Sequence, residues 1–281
     1  MNLKKLMLVA VMIGSIAAVA EEGEDECSSS WVGVNMVKMP TVTGHDTVDV
    51  VLSAPWWDSA GNLSGTEGDE YVCNTNTILA AGLEEGDELF LYSEDWTTPG
   101  LGGDGYGSFR LNKNKVWEQA HNIVVYPMKM YAPDRMKRQY AMILRMSNFS
   151  TREKKVVYFA GNVPPLEKET YEVTIGSHPD KVYYSLVSYP WATGKDGVNV
   201  NDIADWESLT TQPTSSDQIL ILNPSTGNLD TYKYNNSEQK WGVKTRSGTW
   251  KYTAVLHSGV GFWYLRKADA GAMTIAMNRP Q

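Results

Sequence analysis

The sequence predicts an all-β protein built from two tandem, sandwich-like or barrel-like units, each with one short helix. Three observations carry that expectation. Short apolar runs rich in β-branched and aromatic residues recur between turn formers. Turn signals such as Asn223-Pro224-Ser225-Thr226-Gly227-Asn228 and Ser258-Gly259-Val260-Gly261 come at short intervals, as in sandwiches and barrels. The second half of the chain also repeats the first. Leu52-Ser53-Ala54-Pro55-Trp56 returns as Val187-Ser188-Tyr189-Pro190-Trp191 at an offset of 135. The run led by Asp87, Glu88-Leu89-Phe90-Leu91-Tyr92, returns behind Asp217 as Gln218-Ile219-Leu220-Ile221-Leu222 at an offset of 130. Trp117 answers Trp241, and Phe159-Ala160-Gly161-Asn162-Val163-Pro164 answers Ile275-Ala276-Met277-Asn278-Arg279-Pro280. An offset that shrinks along the chain is what two copies with loops of unequal length give.

Taken in order, residues 1–20 read as a secretory signal peptide: Lys4 and Lys5, an apolar run from 6 to 20, and small residues at Ala18 and Ala20. That run is shorter than the roughly 20 residues of a spanning helix, so no integral membrane segment is expected after cleavage. The reading is an exported chain, secreted, periplasmic or at the cell surface. Loss of Lys4 and Lys5 takes the formal charge from −8 to −10. That acidity argues against nucleic acid, which is gripped by basic stripes. The acidic run Glu21-Glu22-Gly23-Glu24-Asp25-Glu26 reads as a solvated, disordered terminus over 21–30. Cys27 and Cys73 are the two cysteines, and outside the cytosol an even count favours a disulfide between them.

The first unit spans 31–163 and the second 165–281, meeting at the stiff Pro164-Pro165 dipeptide. The runs 89–92, 219–222 and 182–187 read as strands, the first two apolar enough for burial on both faces. A short helix is expected in each unit, over 76–83 and 201–209, from a capping Asn followed by apolar positions at helical spacing.

Part of the second unit resembles a known pattern. Asp217 and the apolar run behind it, the turn through Gly227, Tyr232 and Tyr234, Lys240-Trp241, and then Gly259-Val260-Gly261-Phe262-Trp263-Tyr264-Leu265-Arg266 resemble an uncharacterised family of secreted bacterial tandem β-domain proteins. In that family a strand, a hairpin, a Trp and a Gly-x-Gly-Phe-aromatic strand follow one another. The first unit keeps the order but has Gln139-Tyr140-Ala141-Met142-Ile143-Leu144-Arg145 in place of the glycine strand. The resemblance implies export and an all-β fold, and carries no catalytic residues.

The ten tryptophans invite a carbohydrate reading, because sugar rings stack on exposed aromatic faces. Trp56 with Trp191 and Trp117 with Trp241 occur in both units and read as packing. Trp57, Trp96, Trp206 and Trp250 have no counterpart and are the ligand candidates, together with Tyr106 at the end of the Gly-rich 93–106 loop. Asp196-Gly197-Val198-Asn199-Val200-Asn201-Asp202 is similar to a calcium loop, but Ala192 and Gly194 stand where earlier oxygen ligands belong, so a turn is expected and no metal. Eight basic residues, from Lys129 to Lys155 and including Arg145 and Arg152, fall between 127 and 155 and read as outward charges on strands. His45, His121, His178 and His257 sit in no nucleophile or metal motif. The expected function is therefore a non-catalytic structural or interaction protein of the cell surface or matrix, with surface proteins or polysaccharide as partners and no cofactor. A carbohydrate-binding module is the alternative. A glycoside hydrolase, using some pair among 33 acids, is the second.

Overall fold

The computed structural model describes residues 32–38, 46–53, 71–72, 83–92, 106–114, 117–119, 136–137, 141–152, 156–162, 170–189, 191–223 and 226–280. The fold is all-β, and every strand pairing is antiparallel. The first half contributes β1 (Val32–Lys38), β2 (Val48–Leu52), β3 (Tyr71–Val72), β4 (Glu88–Tyr92), β5 (Tyr106–Leu111), β6 (Trp117–Gln119), β7 (Met136–Lys137), β8 (Met142–Met146) and β9 (Val156–Asn162). The second contributes β10 (Thr170–Ile175), β11 (Tyr183–Val187), β12 (Val198–Asn199), β13 (Gln218–Leu222), β14 (Leu229–Asn235), β15 (Lys240–Lys244), β16 (Trp250–Lys251), β17 (Val255–Leu256), β18 (Phe262–Arg266) and β19 (Met273–Asn278).

Strand order is the same in the two halves. The first sheet runs β2-β8-β4-β5-β6, and the second runs β11-β18-β13-β14-β15 with β16 added at its edge. Each half has a ribbon joining its first and last strands, β1-β9 and β10-β19, and a small pair, β3-β7 and β12-β17. Register agrees as well as order. Val48 opposes Met146 where Tyr183 opposes Arg266, and Glu88 opposes Arg145 where Gln218 opposes Leu265. Glu88 also opposes Arg110 where Gln218 opposes Lys233, and Leu111 opposes Trp117 where Tyr234 opposes Trp241. Because side chains alternate faces along a strand, a slip of one residue in any pairing would invert a whole face.

The alternation is visible in burial. In β13 Ile219 and Ile221 are buried while Leu220 and Leu222 are half-buried on the opposite face, so this strand has one core face rather than the two expected from its apolar run. Phe262, Tyr264, Tyr232, Tyr234 and Trp241 join that core face and pack in one cluster with Val173, Ile175, Met273 and Ile275 of the β10-β19 ribbon. Sheet and ribbon are thus two layers of a sandwich-like unit. Trp241 is its centre, with Trp206 5.5 Å away at 72° and Tyr264 5.4 Å away at 80°, the edge-to-face geometry that aromatic quadrupoles favour. In the first half the corresponding inward positions are mostly aliphatic: Val48, Val50, Leu89, Met142, Leu144 and Met146 are buried. Each such side chain is worth about 1.5–3 kcal/mol in apolar burial.

The helix expected over 201–209 is corrected to one 3-10 turn, Val200–Asp202. The Asn199 side chain accepts the Asn201 N–H at 2.9 Å and starts the turn as the capping signal requires. The turn ends at Asp202, and the Val200 carbonyl accepts the Trp206 indole N–H at 2.8 Å. The first unit's helix segment at 76–82 lies outside the described residues, as do residues 1–31, Pro164-Pro165 and the 93–105 loop.

Candidate functional site

Two buried carboxylates are the most concentrated polar chemistry in the described residues. Each precedes the central strand of its sheet and closes a four-residue turn, the Asp87 N–H donating to the Glu84 carbonyl and the Asp217 N–H to the Thr214 carbonyl. Asp217 accepts from the Thr214 N–H and hydroxyl at 3.0 Å each, the Lys267 N–H at 2.8 Å and the Tyr264 hydroxyl at 2.9 Å, and it pairs with Arg266. Asp87 accepts from the Glu84 N–H at 2.9 Å and the Ser147 N–H at 3.0 Å, and pairs with Arg152 at 2.7 Å. In each half the same job is done: the turn before the central strand is fastened to the end of its neighbour.

The arginines come from different places. Arg266 is the last residue of β18, where its register counterpart in β8 is Met146. Arg152 lies beyond the end of β8 and folds back. Arg266 also donates to the carbonyls of Gly271, Gln212 and Ala270 at 2.9, 3.1 and 2.8 Å. Nε and Nη1 of Arg152 are buried without a hydrogen-bond acceptor, Nε having only Glu84 Oε1 at 3.4 Å. Arg152 is thus not one of the outward charges expected in the 127–155 stretch, because its partner lies inside. Burial foremost, with Asp217 adding, pushes the Tyr264 phenol well above its ordinary pKa. A buried, charged group beside a perturbed tyrosine resembles a reactive centre. Both carboxylates, however, face backbone donors and guanidinium groups that occupy them fully, so their chemistry is structural.

The outer faces of the two sheets differ. On the first, Arg145 makes a bidentate contact to Asp49 at 2.8 and 2.9 Å, reaches Glu88 at 3.6 Å and stacks its guanidinium 5.0 Å from the Phe90 ring. Glu88 also pairs with Arg110. The Asp49 hydrogen bond, more than its charge, raises the Arg145 pKa against a smaller opposing effect of burial. On the second sheet the same register positions hold Tyr184, Leu265, Gln218 and Lys233. Tyr184 is 57% exposed and meets the half-buried Trp263 edge-on at 6.4 Å, with Leu220, Leu222 and the exposed Leu229 alongside.

The aromatic candidates from the sequence fare differently. Trp57, Trp96, Cys27 and Cys73 lie outside the described residues. Tyr106 begins β5 opposite Tyr92. Trp206 is 2% exposed and spends its indole N–H on Val200, so it is a core residue and offers no face to a ligand. Trp250 lies on edge strand β16, half-buried and stacked on Tyr252 at 6.3 Å and 3° between planes, with the Tyr252 hydroxyl held by Asn235 at 2.8 Å. Trp191 and Trp241 are buried, as their repetition implied. The sequence reading missed Tyr184 and Trp263; the alternation in 182–187 and 262–266 was the signal that would have found them.

The calcium-like segment is a turn. Gly197 takes φ +76°, and its N–H donates to the Gly194 carbonyl at 3.0 Å. Asn201 is engaged with both the N–H and the carbonyl of Trp241, at 2.6 and 3.1 Å. Among the described residues no three His, Cys, Asp or Glu side chains gather as metal ligands, and no helix is long and apolar enough to cross a membrane. No family model, curated protein or solved structure matches this chain.

Proposed function

We propose that this is an exported, non-catalytic interaction protein of the cell surface or secreted matrix, made of two copies of one β-unit. The reading of two copies is supported by strand order and register, which agree pairing by pairing. The interaction role is carried by one observation: the second sheet leaves Tyr184 and Leu229 exposed beside the half-buried Leu220 and Leu222, where the first sheet sets the Asp49–Arg145 ion pair. Contiguous outward apolar surface on a rigid sheet is the ordinary mark of a contact face. Export rests on the signal-peptide pattern of residues 1–20.

A carbohydrate ligand is the second reading, favoured by the exposed Tyr184 ring and the stacked Trp250-Tyr252 pair, since sugar rings bind aromatic faces. The hydrolase reading gains nothing from Asp87 and Asp217, which are occupied. The test combines cell fractionation with a glycan array. The interaction reading expects a mature chain beginning at Glu21 outside the cytoplasm and binding that Tyr184→Ala weakens. An uncleaved chain confined to the cytoplasm would overturn it. A blank array from folded protein would leave surface proteins as the partner class.

A further inference from the structure

The outward face of the second sheet is basic, although the chain as a whole is acidic. Tyr232, Tyr234 and Trp241 point into the core, so alternation turns Lys233 and Asn235 of β14 and Lys240, Gly242 and Lys244 of β15 outward. Lys233, Lys240 and Lys244 are exposed, and none makes an ion pair among the described residues. The outward positions of β11, β13 and β18 add no carboxylate. Comparison with the first sheet is instructive. There Arg110 opposes Glu88 and pairs with it, whereas at the same register Lys233 opposes Gln218. The cation is present in both sheets and the carboxylate in only one.

Beside these lysines lies a preformed aromatic platform. Trp250 opposes Lys244 across the β15-β16 pairing and shares its face. The Tyr252 ring lies over Gly242, where an added Cβ would come 2.7 Å from both Tyr252 Cδ1 and the Lys251 carbonyl oxygen. Glycine is therefore what leaves room for the ring. The Asn235 side-chain amide donates to the Tyr252 hydroxyl at 2.8 Å, and the Asn199 side-chain amide donates to the Tyr252 carbonyl at 2.8 Å. Tyr252 is thus held at its tip and at its backbone. Trp250 stands parallel to it within 3°, with ring centroids 6.3 Å apart, and both residues are half-buried, so part of each stays open to solvent. Rings fixed in this way lose little freedom when a ligand settles on them.

We propose that this face binds an acidic polysaccharide, whose sugar rings stack on Trp250 and Tyr252 and whose carboxylate or sulfate groups meet Lys233, Lys240 and Lys244. The proposal rests on the carbohydrate reading above and adds the charge of the ligand. A neutral glycan would use the rings and leave the three lysines idle. Screening confines the chain's overall negative charge to short range, about 8 Å at physiological salt, so these lysines dominate the field at their own face. The same face continues to Tyr184 on β11, five strand spacings or about 24 Å away, and a chain laid across the strands reaches both ends.

The test measures binding of the mature chain to dextran sulfate and to polygalacturonate, with uncharged dextran and single-stranded oligodeoxythymidine as comparisons. Binding to at least one acidic polysaccharide is expected, weakening as salt is raised. Combining Lys233→Gln, Lys240→Gln and Lys244→Gln should weaken it about tenfold, the size of three exposed charge contacts. Trp250→Ala should weaken it as well, with the fold intact by circular dichroism. If Trp250→Ala does not fold, the lysine variant, changed only at exposed positions, still decides. No binding to either acidic polymer, dextran bound as tightly as dextran sulfate, or a lysine variant that binds like the unaltered chain overturns the proposal. Tighter binding of oligodeoxythymidine than of both acidic polysaccharides also overturns it, and assigns the face to nucleic acid. The carbohydrate reading itself falls only if the folded chain binds no glycan, charged or neutral.

Discussion

The first sheet covers its outer face with Asp49, Arg145, Glu88 and Arg110, whereas the second puts Tyr184, Leu265, Gln218 and Lys233 at the same register positions. Inside, the described core of the first half sets aliphatic side chains around Phe109 and Phe149, while the second gathers tyrosines and tryptophans around Trp241. One backbone plan therefore supports two chemistries, since register fixes where a side chain points while its identity remains open. Both halves fasten the central strand with a buried aspartate and an arginine, while their outward surfaces differ.

The largest effect is expected at the fasteners. Arg266→Met leaves Asp217 buried without its counter-charge, and should cost about 3–5 kcal/mol in denaturant unfolding. Arg152→Met should cost clearly less, because Arg152 has Nε and Nη1 already without acceptors while Arg266 places every nitrogen on an oxygen. Equal costs would mean that the two fasteners are equivalent after all.

Next comes Tyr264→Phe, which removes one hydroxyl donor from Asp217 and should cost about 1–3 kcal/mol by the same measurement. Alkaline pH tests the second half in another way. Burial raises the phenols of Tyr264, Tyr189, Tyr232 and Tyr234, with Asp217 adding at the first, Asp230 at the third and Glu207 at the fourth. A folded pKa above the unfolded value of about 10 means that the neutral phenol is favoured in the fold. The contribution is therefore complete below about pH 10 and is lost as pH climbs toward the raised values. Tyrosinate absorbance and near-ultraviolet dichroism should show these phenols of the second half ionising only as that half unfolds, above the ordinary tyrosine range. The smallest effect is expected on the first sheet's surface, where Asp49→Asn removes an exposed ion pair and should change stability by no more than about 1 kcal/mol.

Much of the fold was legible from particular residues. The runs read as strands over 182–187 and 219–222 are strands at Tyr183–Val187 and Gln218–Leu222, and the two main sheets share one strand order. The fasteners were half legible. Asp87 and Asp217 align, but Arg152 and Arg266 reach them from different positions, so no comparison of the two halves in sequence could pair them. Trp206 misled: its lack of a counterpart suggested exposure, whereas an unmatched residue can equally fill a core. Gly259-Val260-Gly261 stood out as a motif, but a side chain at Gly261 would meet Ala141 and Val51, 120 and 210 residues earlier and brought close by folding alone.

The most direct test of the contact face measures glycan and surface-protein binding by the mature chain, comparing Tyr184→Ala with Asp49→Asn. The account predicts loss of binding in the first and retention in the second, with both variants folded. Binding that survives Tyr184→Ala, or that disappears with Asp49→Asn instead, would contradict the assignment of the contact face to the second sheet.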